Sequence, residues 1–446
     1  MMKTFPIGGI HPSDCKKYSK DSAIEQFPIP ASVTIPLSQH IGAPAVATVA
    51  KGDRVLVGQV IATAGGFVSS NIHSSVSGTV TAVDSRPDAQ GNMKPAITIA
   101  VEGDEWLEGI ERDGAQKSLG SLTAEEIVAK VKEMGIVGMG GATFPTHVKL
   151  SIPNGKKAEC LIINAVECEP YLTADYRVML ERGEDLLAGA QLLATAIGVD
   201  KIYIGIENNK PDAIKHLQAL AKSQTNVRIV PLKMRYPQGG EKQLIAAVTG
   251  REVPSGGLPI DVGAVVQNVG TALAVYEAVV FNKPLIERVV TVTGSTLASP
   301  KNLLVRVGTP MSALIEYCGG MEGVGKVVAG GPMMGRAVSN IDAPVTKGTS
   351  GVLLIPTEDA LRQTEGSCIR CAKCVEACPM GLEPYLLSTL TQRGDYEELE
   401  AHYIADCIEC GCCTFSCPSY LPLLDWVRIG KAEVMKRMRE RAAAKK

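Results

Sequence analysis

Nine of the chain's 13 cysteines fall between Cys368 and Cys417, and eight of them repeat one spacing: Cys368, Cys371, Cys374 and Cys378-Pro379, then Cys407, Cys410, Cys413 and Cys417-Pro418. Three thiolates at this interval let a tight loop wrap one iron–sulfur cubane, while the fourth, followed by proline, is carried away towards a second. The spacing therefore predicts two [4Fe-4S] clusters with crossed ligation. Cys368, Cys371, Cys374 and Cys417 would hold one, and Cys407, Cys410, Cys413 and Cys378 the other. Structural zinc usually draws on two separated C-x-x-C pairs rather than on three cysteines in one loop. Cys412 lies outside the register and reads as a packed thiol. Cys15, Cys160, Cys168 and Cys318 are isolated, and no disulfides are expected of a chain kept in a reducing compartment.

A second group of residues suits a flat or phosphorylated ligand. Gly138-Met139-Gly140-Gly141-Ala142-Thr143 exposes backbone N–H groups with no side chain in the way. Thr143 replaces the third glycine of a dinucleotide fingerprint and the loop follows a helical pattern, so a standard Rossmann assignment fails. Lys149 follows closely with a positive charge. In AECLIINAVECEP, Asn164, Glu167 and Glu169 come just after an apolar run, where a parallel sheet places its ligands. Tyr236 to Lys242 adds Gly239 and Glu241. Each segment alone reads equally as a turn or a solvated loop, but three in one sheet domain point to a site.

These residues need a scaffold, and 446 residues with 45% hydrophobic content are enough for several packed domains. Residues 30 to 105 are rich in Val, Thr, Ile, Gly and Pro with alternating runs such as SGTVTAV, which reads as all-β. From Glu125 the pattern alternates between helix (AEEIVAKVKEMG, EDLLAGAQLLATAIG, PDAIKHLQALAKS) and strand (KIYIGIE, NVRIVPL), the signature of a doubly wound parallel sheet. RVVTVTGSTLASPKNLLVRVGTPMSALIEYCGG suits a small α+β module, and the segments between the cysteine motifs have helical periodicity. A formal net charge of −2 gives no field to recruit nucleic acid, so no nucleic-acid partner is expected. The N-terminus lacks an apolar run of signal-peptide length, and no window is long enough to span a bilayer; a soluble or peripheral, cytoplasmic chain is expected.

Several of these segments resemble the flavin-binding subunit of respiratory complex I. GMGGATFPTHVK is similar to that family's G-R-G-G-A-G-F-P-T-G-x-K, NAVECEP to N-A-D-E-S-E-P, YPQGGEKQL to Y-x-x-G-E-E-T-x-L, and QNVGTALA to N-N-V-E-T-L-A. Val166, Gly240 and Gly270 stand where that family has acidic residues. The resemblance implies that Gly138, Gly140, Gly141, Lys149, Asn164, Gly239, Glu241 and Asn268 hold FMN, with Glu167 and Glu169 near the nicotinamide nucleotide in the catalytic position.

Taken whole, the chain resembles the C-subunit family of the Rnf ion-translocating electron-transport complex. FPIGGIHP, IPLSQHIGAPAVATVAKGDRVLVGQVIA and HSSVSGTVTAV look like its N-terminal barrel-sandwich domain. That domain is similar to a biotinyl or lipoyl module, but the hairpin VSSNIHSSVSG has no lysine for a prosthetic group, so it reads as a docking or structural module, with His40 and His73 structural rather than catalytic. The implied architecture is multidomain α/β: a barrel-sandwich hybrid (1–115), a flavin-type domain (120–282), a β-grasp-like module (285–358) and a helical two-cluster ferredoxin domain (360–446). The implied function is a peripheral oxidoreductase subunit on the cytoplasmic side of the inner membrane. It would pass electrons between NAD(H), FMN and the two clusters to membrane and ferredoxin-like partner subunits, which translocate the ion. A cobalamin-reductase-like flavoprotein and a non-catalytic iron–sulfur relay are the alternatives.

Overall fold

A computed structural model describes residues 2–112 and 122–444. The junction expected between residues 115 and 120 lies outside them. The chain begins as a strap across other parts of the molecule. Lys3 bridges to Leu232 and Ile10 to Tyr236, and strand β1 (Ile24–Gln26) joins a sheet formed by residues nearly 300 positions later.

The barrel sandwich then follows as β2 (Ser32–Pro36), β3 (Val46–Ala47), β4 (Arg54–Val55), β5 (Val60–Thr63), β6 (Ile72–His73), β7 (Gly78–Pro87) and β8 (Met93–Val101). The strands form two sheets, in the orders β2-β8-β7-β4 and β3-β5-β6. Alternation along each strand sends Val33, Ile35, Val80, Ile97 and Ile99 into one core with Ile61 and Ile72. The hairpin that a carrier module would project is docked instead. Lys347 Nζ donates to the carbonyls of Asn71 (2.9 Å) and Gly135 (2.8 Å), and Arg306 Nη1 to that of Ser75 (2.8 Å). His73 is buried there, and burial lowers its pKa to about 3, so it stays neutral.

The central domain comprises α1 (Ala124–Glu133), α2 (Thr146–Leu150), β9 (Cys160–Asn164), α3 (Ala174–Glu181), α4 (Gly183–Ile197), β10 (Ile202–Glu207), α5 (Pro211–Leu220), β11 (Val227–Leu232), α6 (Glu241–Thr249), β12 (Ala264–Asn268) and α7 (Val269–Val280). α1 starts at a capping box in which Thr123 and Glu126 satisfy each other's amides. All four strands are parallel, in the order β11-β10-β9-β12. Leu161 and Ile163 face one apolar layer with α4 and α7, and Ile162 faces another with α6. The sheet is thus covered on both sides, which is why its strands read as continuous apolar runs. Chain order reverses between β9 and β12, where such sheets bind ligands.

A mixed six-stranded sheet follows, in the order β1-β14-β13-β17-β15-β16, from β13 (Glu287–Thr293), β14 (Lys301–Arg306), β15 (Val324–Ala329), β16 (Arg336–Ala337) and β17 (Gly351–Pro356), with α8 (Met311–Tyr317) packed on it. The cysteine region is helical: α9 (Thr357–Ala360) leads to α10 (Lys373–Glu376), α11 (Pro384–Arg393), α12 (Tyr396–Ala401), α13 (Cys412–Phe415) and α14 (Leu423–Ala444). Leu387, Leu390, Leu399, Ile404, Val427 and Val434 form its core. Among the described residues, no helix is long and apolar enough to cross a membrane.

Candidate flavin site and cysteine cavity

Asn164 and Asn268 end the adjacent parallel strands β9 and β12 and are register partners, so both amides stand at the switch point. Asn268 Oδ1 caps α7, accepting from the amides of Gly270 (2.8 Å) and Thr271 (3.4 Å), while its Nδ2 donates to Asp175 Oδ2 (2.7 Å). Asn164 Nδ2 donates to the Gly239 carbonyl (2.8 Å). The glycine-rich loop lies against this pair. The Met139 amide donates to Thr271 Oγ1 (2.9 Å), the Gly138 amide to the Phe144 carbonyl (2.8 Å), and a Cβ on Gly140 would sit 3.3 Å from Asn268 Nδ2. Gly141, next along, faces open space.

Lys149 and Glu241 come together at 2.6 Å, and Lys149 also donates to the Val266 carbonyl (3.2 Å). Their charges therefore offset each other at the site's edge. Glu167 and Glu169 are both committed to backbone amides. Glu167 accepts from Asp175 N (2.7 Å) and Tyr176 N (3.3 Å) at the start of α3, with Lys16 Nζ 3.7 Å away. Glu169 accepts from Met333 N (3.2 Å) and Met334 N (2.6 Å), clasping the loop after β15. Burial pushes both carboxyls up to about 7, with Lys16 pulling the other way. The side chain of Val166 is buried in the apolar layer under α6, and its carbonyl accepts from the buried Lys210 (2.7 Å).

The residues at the switch point fit a flavin. A strip of backbone without side chains runs beside two strand-end amides, and a Cβ at Gly140 would fill the space against Asn268.

Tyr236 to Gln243 connects this site to the cysteines. The Tyr236 hydroxyl donates to the Cys410 carbonyl (2.8 Å), and Gln243 Nε2 donates to the Pro379 carbonyl (3.2 Å). At the other end the Gly239 amide donates to Cys168 Sγ (3.3 Å). Beyond lies a small cavity of about 20 Å³, partly open to solvent and lined by Cys378, Cys407, Cys410, Cys412 and Cys413. Cys378, from the first motif, is thus grouped with the three-cysteine loop of the second. Cys374 and Cys417 lie on a small apolar cluster around Leu423 that Cys413 also joins, while Cys368 and Cys371 are exposed. Cys412 is fully buried, with its thiol directed to the Tyr236 carbonyl (4.0 Å). Burial pushes the thiol of Cys407 up to about 11 and that of Cys413 up to about 12, so their ligating thiolate forms would need a neighbouring positive charge. Among the described residues no three His, Cys, Asp or Glu side chains converge as on one ion. A cubane takes each thiolate on a different iron, so its ligands surround a volume, as the cavity's cysteines do.

Residues that sequence reasoning passed over complete the site. Arg288 on β13 reaches the glycine-rich loop, Asp175 orients Asn268, and the N-terminal strap enters the cysteine region. The Gly9 amide donates to the Ala377 carbonyl (2.9 Å), and a Cβ on Gly8 would collide with the Cys378 carbonyl. An arginine inside the apolar run ERVVTVT was the one available signal, since a buried charge needs a specific partner.

Comparisons with known proteins fall on these same units. Residues 131–277 match the Nuo51 FMN-binding domain, 3–104 the RnfC barrel sandwich hybrid domain, and 289–337 the SLBB domain. The chain is 50% identical over 405 residues to the C subunit of the proton-translocating ferredoxin:NAD(+) oxidoreductase complex of Clostridium ljungdahlii, covering 90% of this chain and 88% of the relative. It is 43% identical to the C subunit of the Na(+)-translocating ferredoxin:NAD(+) oxidoreductase complex of Acetobacterium woodii, covering 97% and 98%. To the C subunit of the ion-translocating oxidoreductase complex of Rhodobacter capsulatus it is 43% identical, covering 89% and 77%. This chain therefore belongs to the C-subunit family of ion-translocating ferredoxin:NAD(+) oxidoreductase (Rnf) complexes.

Proposed function

We propose that this chain is the subunit at which NAD(H) meets FMN, and that it carries electrons between that flavin and partner subunits through two [4Fe-4S] clusters. FMN, when bound, exchanges two electrons with a nicotinamide nucleotide as a hydride and trades them singly with iron–sulfur centres. The chain's own residues place and insulate that chemistry. Gly140 and Gly141 offer backbone amides to the ring or phosphate, Gly138 holds the loop's turn through the Phe144 carbonyl, Asn164 and Asn268 line the strand ends, and Gly239 with the Lys149–Glu241 pair closes the edge. Glu167 and Glu169 hold the walls of the nucleotide side through the amides they bind.

The observation that carries this reading is the connection from Asn164 through Gly239 and Tyr236 to Cys410. It supports an order of transfer in which the cluster of Cys378, Cys407, Cys410 and Cys413 is next to the flavin. The cluster of Cys368, Cys371, Cys374 and Cys417 then faces the partner. Its rim exposes Ile369 (67%), Phe415 (55%) and Tyr420 (56%), which suits a redox partner docking over it. Ion movement belongs to the other subunits, and this one sits peripherally on the cytoplasmic side of the membrane, held by them.

Anaerobic protein reconstituted with iron, sulfide and FMN is expected to retain flavin and to bleach when NADH is added. Absence of both flavin retention and bleaching would overturn the proposal.

A further inference from the structure

Arg288 is buried, although it lies in a strand whose neighbours Val289 and Val290 are apolar. Its Nη1 donates to the Lys347 carbonyl (2.6 Å) and to the Met139 carbonyl (3.4 Å), and its Nε to the Val289 carbonyl (3.2 Å). These are neutral acceptors, so the positive charge persists behind the glycine-rich loop. Where the related complex I loop has an arginine, this chain has Met139, whose side chain packs on Gly270. The cation thus arrives from β13 instead of from the loop itself. Asp175 lines the same cavity as Arg288, Met139 and Gly270, and its carboxylate accepts from Asn268 Nδ2. Arg288 and Asp175 thus place opposite charges on one cavity beside the glycine-rich loop and Asn268, and the burial of Arg288 strengthens its field.

We propose that Arg288 and Asp175 are positioning residues for the flavin. Arg288 fixes the glycine-rich loop and presents a positive charge behind it, Asp175 fixes Asn268 and presents a negative one, and together they set flavin affinity and reduction potential. This rests on the flavin reading above. Reduction adds negative charge to the flavin, so a nearby cation favours the reduced form and a nearby anion opposes it.

The test measures FMN affinity by fluorescence quenching and the flavin midpoint by anaerobic titration, in wild type, Arg288→Gln, Arg288→Lys and Asp175→Asn. Arg288→Gln is expected to weaken FMN binding about tenfold. It should also lower the preference for reduced over oxidised flavin about tenfold, a fall of about 30 mV in midpoint for a two-electron couple. Arg288→Lys should recover the potential with incomplete recovery of affinity, and Asp175→Asn should move the potential upward. Iron content per chain, unchanged in each variant, reports folding; if Arg288→Gln does not fold, the other two variants carry the test. Wild type that binds FMN, with Arg288→Gln and Asp175→Asn shifting the potential in the same direction or not at all, would overturn this inference alone. Wild type that binds no FMN would overturn the flavin reading and this inference with it.

Discussion

The cavity around Cys378, Cys407, Cys410 and Cys413 and the loop carrying Cys368 and Cys371 share one cysteine spacing and have opposite surroundings. The first is held by contacts from several separate elements. Lys431 holds the Cys407 carbonyl (2.5 Å), Tyr236 the Cys410 carbonyl, the strap at Gly8 and Gly9 abuts Ala377 and Cys378, and Arg428 pairs with Glu409 (3.1 Å). The second keeps Cys368 and Cys371 exposed, with one backbone hydrogen bond from Gly366 to Ser419 (2.9 Å) and an exposed Arg362–Asp425 pair tying the segment down. A repeated motif can specify the same ligation twice, yet the packing around each copy gives one an inward and the other an outward position.

The strongest way to break that comparison is at the crossing. In reconstituted protein, Cys378→Ser should remove the cluster of the second motif although Cys378 belongs to the first, halving iron from about eight to about four atoms per chain. Electron paramagnetic resonance that instead loses the cluster of Cys368, Cys371 and Cys374 would refute the crossed grouping. Next in size, Gly8→Val should damage only the buried half. Gly8 has φ +66, so a side chain there costs about 1–2 kcal/mol in backbone strain, and the collision with Cys378 adds about 1–3 kcal/mol. A matching fall in melting temperature, with the exposed cluster's spectrum intact, is the expected result.

A substitution at the barrel junction should leave both halves alone. Burial lowers the pKa of Lys347 to about 7 from its usual 10.5, so between those values the unfolded chain binds a proton that the folded one does not. Stability from this group rises with pH across that window, by at most about 1.4 kcal/mol per pH unit, and is lost as pH falls through about 7. Lys347→Met should flatten the difference in melting temperature between pH 7.5 and 9 while both cluster spectra stay as they are. The smallest effect is expected at Ile369→Ser on the exposed rim. It should change stability by less than about 0.5 kcal/mol while slowing electron exchange with the partner subunits. A large loss of stability there would show that the rim is already covered within the chain.

The ligand spacing and the βα alternation were legible because both are local. Thiolate positions in a loop depend on intervals of a few residues, and a strand followed by a turn delivers Asn164 or Asn268 to a sheet end wherever that sheet lies. The same locality explains why Glu167 and Glu169 could be placed beside the site without their partners being visible. Their amide donors depend on a helix start and on a loop 164 positions away.

By itself, the sequence determined which residues could ligate clusters, which backbone could lie flat against a ring, and the kind of sheet that would hold it. Only the tertiary structure decided that Cys378 sits with the second motif's loop, that the N-terminal strap closes on it, that the barrel hairpin is docked, and that the loop's cation comes from Arg288. Each of these depends on surfaces far apart in the chain meeting at close range. Packing density and the need to satisfy buried polar groups select such contacts, and neither leaves a periodic mark in the residues.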